Sequence, residues 1–152
     1  MNYETAKEIE IAVARWFGIN KYVIVPNVGW GMFSDRELDL MLLNRSGYAY
    51  EVEIKVSHSD LIKDKDKRHS HFSPRLKRLY FAIPEKIRKN INEIPENAGI
   101  LVVNRFGIVN LIKQPKENRS ARKLSLYEQY KLARLGAMRI WKLKSKLVLN
   151  EW

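Results

Sequence analysis

The chain has 152 residues, which suits a single domain over 1–152 that buries roughly 68–70% of its unfolded surface, and the absence of cysteine excludes disulfides, thiolate zinc sites and a cysteine nucleophile. Lysine and arginine total 28 against 17 acids, a formal charge of +11, and this favours a polyanionic partner such as nucleic acid, acidic membrane or acidic protein. Neither a signal peptide nor an apolar run of the ~18–20 residues that cross a bilayer is evident, so we expect a cytoplasmic protein with no membrane partner.

Hydrophobic periodicity predicts the elements in the first half of the chain. Apolar residues at helical spacing indicate an amphipathic helix over 4–17, and Gly18 is a typical stop. Apolar runs bounded by turn residues then predict strands at 22–26, 38–43 and 48–56. The last two flank the turn "NRSG" and predict a hairpin.

The second half of the chain continues the alternation of helices and strands. Ser59 is predicted to cap a helix over 60–68, a basic loop covers 67–78, and an apolar run predicts a strand at 79–84 before a helix that begins with Pro84. Strands at 99–103 and 107–112 meet at "NRFG", and a last helix begins within 120–126 and ends near 147. This order predicts an α/β (α+β) fold, with a mixed central β-sheet flanked by helices and an extra C-terminal β-hairpin and helix.

The register of the first hairpin brings acidic residues together. The even positions of both strands are apolar, and a three-residue turn ending in Gly47 matches a type I turn plus bulge, whose last residue is left-handed. This turn pairs Leu38 with Ile54 on the apolar face and Asp39 with Glu53 on the other. Neighbouring carboxylates are destabilising unless a cation joins them, and Mg²⁺ or Mn²⁺ is the natural candidate.

Asp39, Glu53 and Lys55 together suit the hydrolysis of a phosphodiester. The two carboxylates and the main-chain carbonyl of Ile54 would hold the metal, while the lysine orients the attacking water and stabilises developing charge. Glu51, on the same face, either supports a second ion or is a plain surface acid. The alternative for the set is a solvated sheet face with cross-strand ion pairs.

The motif formed by these residues resembles the signature of the PD-(D/E)XK nuclease superfamily. Asp39 is followed, after thirteen intervening residues, by the triplet "EIK" at 53–55, and Leu38 stands where the superfamily's name has proline. The stretches "EVEIKVS", "SDLIKDKDK" and "LYFAIP" are similar to its DNA-repair and phage nuclease-like branch, over roughly residues 27–84.

The resemblance implies a restriction-endonuclease-like core and an Mg-dependent deoxyribonuclease, an endonuclease rather than an exonuclease. It also implies a glutamate on the preceding helix, for which Glu8 is the better candidate and Glu4 the next. Junction resolvase, repair nuclease and phage or restriction-type endonuclease all stay open as narrower activities.

Basic and aromatic residues near the motif are candidates for DNA binding. Positive side chains bind backbone phosphates, and a loop aromatic either stacks on an unpaired base or anchors its own loop. The candidates are Trp30, Phe33, Lys63, Lys67, Arg68, His69, His71, Arg75, Lys77 and Arg78. His58, His69 and His71 have no fixed ligand spacing, which argues against a zinc site.

The last helix and the overall charge leave two questions open. Arg134, Arg139, Lys142 and Lys144 either extend the DNA surface or belong to a helix that packs a homodimer. The alternatives to an enzyme are a non-catalytic nucleic-acid-binding module on the same fold and a basic protein-interaction or membrane-surface module. A pure binder has no chemical reason to keep the complete acid-acid-lysine set.

Overall fold

The computed structural model of the chain describes residues 2–29, 37–65 and 73–149, which fold around one six-stranded sheet. The helices are α1 (Ala6–Phe17), α2 (His58–Lys65), a 3-10 helix (Glu85–Glu93) and α3 (Leu126–Val148). The strands are β1 (Val23–Val28), β2 (Leu38–Leu43), β3 (Ala49–Ile54), β4 (Leu76–Pro84), β5 (Gly99–Val103) and β6 (Val109–Lys113). The predicted mixed sheet flanked by helices is confirmed and is consistent with a restriction-endonuclease-like core.

The six strands lie in the sheet in their chain order. β1, β2 and β3 are antiparallel neighbours, β3, β4 and β5 are parallel, and β6 returns antiparallel to β5. The parallel steps need crossover connections, which α2 and the 3-10 helix supply. The C-terminal hairpin therefore continues the central sheet and is not an addition to it.

Both hairpins have a three-residue turn, which the sequence predicts for the first. In the first, the Asn44 N–H donates to Tyr48 O at 2.9 Å and the Gly47 N–H donates to Asn44 O at 3.1 Å. Gly47 and Gly107 have φ of 93° and 80°, values that favour glycine. The predicted register of β2 and β3 is confirmed along their paired part, where Leu40 faces Val52.

Helices cover both faces of the sheet. On one face, Ile9, Val13 and Phe17 of α1 pack on even-numbered residues of β2, β3 and β4 and on Leu101 and Val103 of β5. On the other, α2 contributes Leu61 and α3 contributes Leu132, both with no exposed surface. Each such buried side chain stabilises the fold by roughly 1.5–3 kcal/mol. β3 is consequently buried on both faces.

α3 extends from a well-anchored first turn. Ser125 caps it by accepting from the Glu128 N–H at 3.1 Å, and the Glu128 side chain accepts from the Ser125 N–H at 2.9 Å. Leu132 is buried under the helix, and Gly136 packs against Val25 of β1. Among the described residues, no helix is both long enough and apolar enough to cross a membrane.

Local predictions differ from the structure at several places. Ser57, not Ser59, caps α2, because its Oγ accepts from the Asp60 N–H at 3.2 Å. β4 begins at Leu76, inside the predicted basic loop, since its first residues pair with the start of β3. The helix after Pro84 is of the 3-10 type, with a kink at its second half.

The predicted face of Leu38 is wrong. Leu38 packs in the cluster of Val28 and Met41, on the face opposite Leu40. The alternation of side chains breaks at this end of the sheet, where Asn27 of β1 has a left-handed φ of 54°. The start of β2 stays paired with β1, where Val28 faces Leu38, but its pairing with β3 ends at Leu40, and Asp39 lies just beyond.

Candidate active site

Glu51 and Glu53 lie on β3 in the middle of the sheet, and both side chains are buried. Glu51 has no exposed surface and Glu53 has 6%. Glu51 faces Met41 of β2, and Glu53 lies beside Phe81 of β4. Helices cover this face, so the alternative of a solvated sheet face is wrong for these two residues.

Asp39 reaches the same place from the start of β2. The paired part of β2 and β3 ends with Leu40 opposite Val52. One step further, the Ile54 N–H donates to Asp39 Oδ2 at 2.8 Å. The Asp39 carboxyl group also hydrogen-bonds with that of Glu53. The two carboxyl groups are therefore neighbours, as the turn geometry predicts.

Asp39, Glu51 and Glu53, which we call the carboxyl cluster, are electrostatically unfavourable on their own. Burial, together with the hydrogen-bonded Glu51 carboxyl group and the charge of Asp39, raises the pKa of Glu53 to about 9. Burial also raises the pKa of Asp39. Carboxylates this close cannot all ionise without a compensating charge. The carboxyl cluster is thus suited to receive a cation.

Lys55 brings the first positive charge to the carboxyl cluster. Its main-chain N–H donates to Ala82 O at 3.0 Å, which fixes the end of β3 to β4. Its Nζ lies 3.5 Å from Glu53 Oε2 and 3.3 Å from Asp64 Oδ1. Burial alone would lower the pKa of Lys55, but the charges of Glu53 and Asp64 outweigh it and raise the pKa. The ammonium therefore stays charged in its buried position.

Asp64 is a residue of this site that the sequence analysis did not identify. It lies in the last turn of α2 with only 3% of its surface exposed. In the sequence it forms a like-charge row with Asp60, an arrangement typical of a solvated helix face. Its burial beside Leu61, one turn earlier on α2, is a result of packing that the sequence pattern does not show.

The structure does not bring Glu8 to the carboxyl cluster, which corrects the choice of helix glutamate. Glu8 Oε2 accepts from the N–H groups of Glu4 and Thr5, both at 3.0 Å, and so caps the start of α1. The capping lowers the pKa of Glu8 through these backbone hydrogen bonds. Glu10, half a turn further on, faces Asp39, and burial and the Asp39 charge raise its pKa.

A cleft of about 290 Å³, which we call the active-site cleft, lies beside Asp39 of the carboxyl cluster. Asp39, Ile54 and Lys55 line it on the sheet side. α2 forms the other side with Asp64 and with Lys63, whose side chain is exposed. Lys63 is therefore placed to meet a ligand in the active-site cleft.

The structure does not bring the other described basic candidates to the active-site cleft. Arg78 donates twice to Glu117, at 3.0 and 2.6 Å, and Arg75 donates to Glu128 at 3.1 Å. Lys77 lies 4.7 Å from the ring centre of Tyr48. The reason is topological: β4 runs parallel to β3, so the start of β4 lies at the opposite end from Glu53 and Lys55. Trp30, Phe33, Lys67, Arg68, His69 and His71 lie outside the described residues.

The oxygen atoms at the carboxyl cluster fit a hard divalent cation. Mg²⁺ is usually bound by one or two carboxylates and completes its shell with water and substrate phosphate. Asp39 and Glu53 are two such carboxyl groups, and Glu10 lies near Asp39. Within residues 2–29, 37–65 and 73–149, three acidic or histidine side chains do not already converge as a finished metal cage. His58 lies 3.9 Å from Glu93 and not in the active-site cleft.

Comparison with known proteins places the chain in a family. Among solved structures, a protein of unknown function from Silicibacter pomeroyi matches with a TM-score of 0.66 and 17% identity, over 97% of this chain and 91% of the other. At this identity the match shows a shared fold. No significant match is found among curated proteins. A family model described as DNA repair protein MmcB-like matches residues 2–146. The chain therefore belongs to the MmcB-like family of DNA repair proteins.

Proposed function

We propose that this protein is a metal-dependent endonuclease that hydrolyses phosphodiester bonds in DNA, using Mg²⁺ or Mn²⁺. The observation that carries the proposal is the buried contact between the Asp39 and Glu53 carboxyl groups, with the Lys55 ammonium 3.5 Å from Glu53. Membership of a DNA repair family supports DNA as the substrate. The resemblance of the motif to the PD-(D/E)XK superfamily supports hydrolysis.

Each residue of the site has a role in the proposed reaction. Asp39, Glu53 and the Ile54 carbonyl would hold the metal ion, which when bound withdraws charge from the phosphate and acidifies water. The Ile54 N–H fixes the orientation of the Asp39 carboxylate. Glu10 takes the auxiliary role that the sequence assigns to Glu8.

Lys55 acts on the charge that develops during hydrolysis. Its ammonium hydrogen-bonds the attacking water and stabilises negative charge on the phosphate oxygens. Asp64 positions that ammonium at 3.3 Å from the opposite side. Glu51 is hydrogen-bonded to Glu53 and orients the Glu53 carboxyl group toward Asp39. Most of this polar network is buried, which strengthens its electrostatic effect.

The test is cleavage of a panel of linear duplex, branched, single-stranded and circular DNA, with RNA alongside, in Mg²⁺, Mn²⁺ or EDTA. We expect metal-dependent cleavage by the wild type, including circular DNA, and loss of at least about a hundredfold in Glu53→Gln and Lys55→Ala. The matched control is Glu96→Gln, because the Glu96 side chain is 87% exposed, pairs with Lys116 and does not line the active-site cleft.

Two outcomes would contradict the proposal. Equal cleavage by the wild type, Glu53→Gln and Lys55→Ala would identify a contaminant. DNA binding without cleavage in any metal would favour the non-catalytic binding module instead.

A further inference from the structure

A second and larger groove lies between α1 and the C-terminal half of α3, and we call it the α1–α3 groove. Its volume is about 770 Å³. Arg139, Lys142, Leu143 and Lys146 of α3 line one wall. These residues are spaced i, i+3, i+4 and i+7, so they share one face of the helix. Asp39 and Ile54 also line the groove, so the groove reaches the carboxyl cluster at Asp39.

The α3 wall is held in position by the sheet. Gly136 packs so closely on β1 that an added Cβ would lie 3.2 Å from Val25 Cγ2. Arg139 Nη2 donates to the carbonyl of Asn27 at 2.6 Å. Beyond this contact, the helix continues with its side chains largely in solvent, as the 60% exposure of Leu143 shows. The contacts of Gly136 and Arg139 with β1 therefore hold α3 in position before a ligand binds.

The charges of the α1–α3 groove favour a polyanion. Lys7 of α1 faces the three cations of α3, while the acids of the groove, Glu10 and Asp39, lie on α1 and β2. The whole of α3 carries six cations, Lys131, Arg134, Arg139, Lys142, Lys144 and Lys146, against one acid, Glu128. Two copies of this helix packed together would bring like charges into contact, so charge argues against a second copy as the occupant.

We infer that the α1–α3 groove binds a single strand of DNA and leads it to the carboxyl cluster, an inference that rests on the proposed nuclease function. A volume of about 770 Å³ lies within the roughly 300–1,000 Å³ of clefts for small ligands, which is room for a few nucleotides of one strand. Cations along the wall follow the backbone, and the apolar side chains of Ile11 and Leu143 between them contact sugars and bases.

The test is binding of a fluorescent oligothymidine and of a duplex of equal length, measured by anisotropy in EDTA so that cleavage plays no part. In Lys142→Gln/Lys146→Gln we expect the Kd for the single strand to rise roughly tenfold or more, and the salt slope to fall by about 0.7 for each lost phosphate contact. Arg134→Gln/Lys144→Gln is the matched control, because it removes the same charge from the far side of the same helix.

The control should bind the single strand as the wild type does. Equal weakening in the two double variants would overturn the inference, and so would tighter binding of the duplex than of the single strand. Preference for anionic vesicles, or a dimer that Leu143→Gln dissociates, would assign the groove to another occupant and also contradict it. If the wild type cleaves DNA but both double variants bind the single strand equally well, the groove inference is contradicted and the nuclease proposal stands. If only Lys142→Gln/Lys146→Gln binds more weakly and the wild type cleaves no substrate, the groove inference stands and the nuclease proposal is contradicted.

Discussion

Three acidic side chains of the carboxyl cluster occupy positions where apolar residues would stabilise the fold more. Burying a carboxyl group costs several kcal/mol unless a hydrogen bond or a charge compensates it. Glu51 is fully buried, yet it contacts Glu53, itself an acid. This arrangement is unfavourable for stability alone, and we propose that a cation bound by Asp39 and Glu53 offsets its cost.

Asp64→Asn tests the role of Asp64 as a positioning residue. We expect the cleavage rate to fall about 10–100-fold, because the ammonium of Lys55 loses the carboxylate that holds it at 3.3 Å. Affinity for DNA in EDTA should not change, and Asp64→Glu should restore part of the rate. The measurement is single-turnover cleavage beside anisotropy. A cleavage rate unaffected by Asp64→Asn would exclude this role.

Glu10→Gln and Glu8→Gln form a matched pair on α1. Glu8→Gln keeps an oxygen that accepts the capping hydrogen bonds but removes the negative charge at the start of α1, so we expect a small loss in the free energy of unfolding and little effect on cleavage by the folded protein. Glu10→Gln should instead raise the Mg²⁺ concentration needed for half-maximal cleavage, roughly tenfold, because Glu10 lies beside Asp39. Urea unfolding and metal titration measure the two effects. A higher Mg²⁺ requirement in Glu8→Gln and an unchanged one in Glu10→Gln would show that Glu8 is the auxiliary residue.

At the scale of elements, hairpins were predictable because their turns are coded locally. The same Asn-Arg-x-Gly pattern builds both turns, and the position of glycine fixes the register of the strands. The start of α2 was less predictable, because two nearby serines are both candidates for its N-cap. Ser57 and Ser59 are equally good caps by composition, and the entry of the chain from β3 decides for Ser57.

The first turn of α3 gives a prediction about pH. The hydrogen bond from Arg122, with those from Ser125 and Arg75, lowers the pKa of Glu128 to about 2 from an ordinary 4.5. A lowered pKa stabilises the fold fully above about pH 4.5, and this contribution is lost as the pH falls toward 2. Glu128→Gln should cost about 1–2 kcal/mol at pH 7 and almost nothing near pH 2. Urea unfolding across this range measures the difference, and a cost that is constant with pH would contradict the assignment.

At the scale of the whole molecule, long-range packing decided what the sequence could not reveal. Nothing local to Asp64 shows that α2 will place it against Lys55, because that contact depends on the crossover between β3 and β4. The same crossover sends Arg75 and Arg78 to the far end of the sheet, although they follow the motif closely in the chain. Proximity in sequence was a poor guide to proximity to the site.

The burial of the acidic face is also a property of the whole fold. Alternation along β3 separates Glu51 and Glu53 from the even, apolar residues, and by itself this pattern is typical of a strand with one solvated face. Helices on both sides of the sheet bury the acids instead. The proximity of Asp39 to Glu53 follows from a local turn. The burial that makes this pair a candidate metal centre depends on the sheet and on the helices on both of its faces.

The central claim, that Asp39 and Glu53 hold a divalent metal, is tested most directly by locating Mn²⁺ by anomalous diffraction in crystals of the wild type and of Glu53→Gln. We expect an anomalous peak bound by the Asp39 and Glu53 carboxylates in the wild type, and a weakened or absent peak in the variant. A well-diffracting wild-type crystal grown with millimolar Mn²⁺ and showing no peak at this pair, or a peak bound only by other residues, would contradict it.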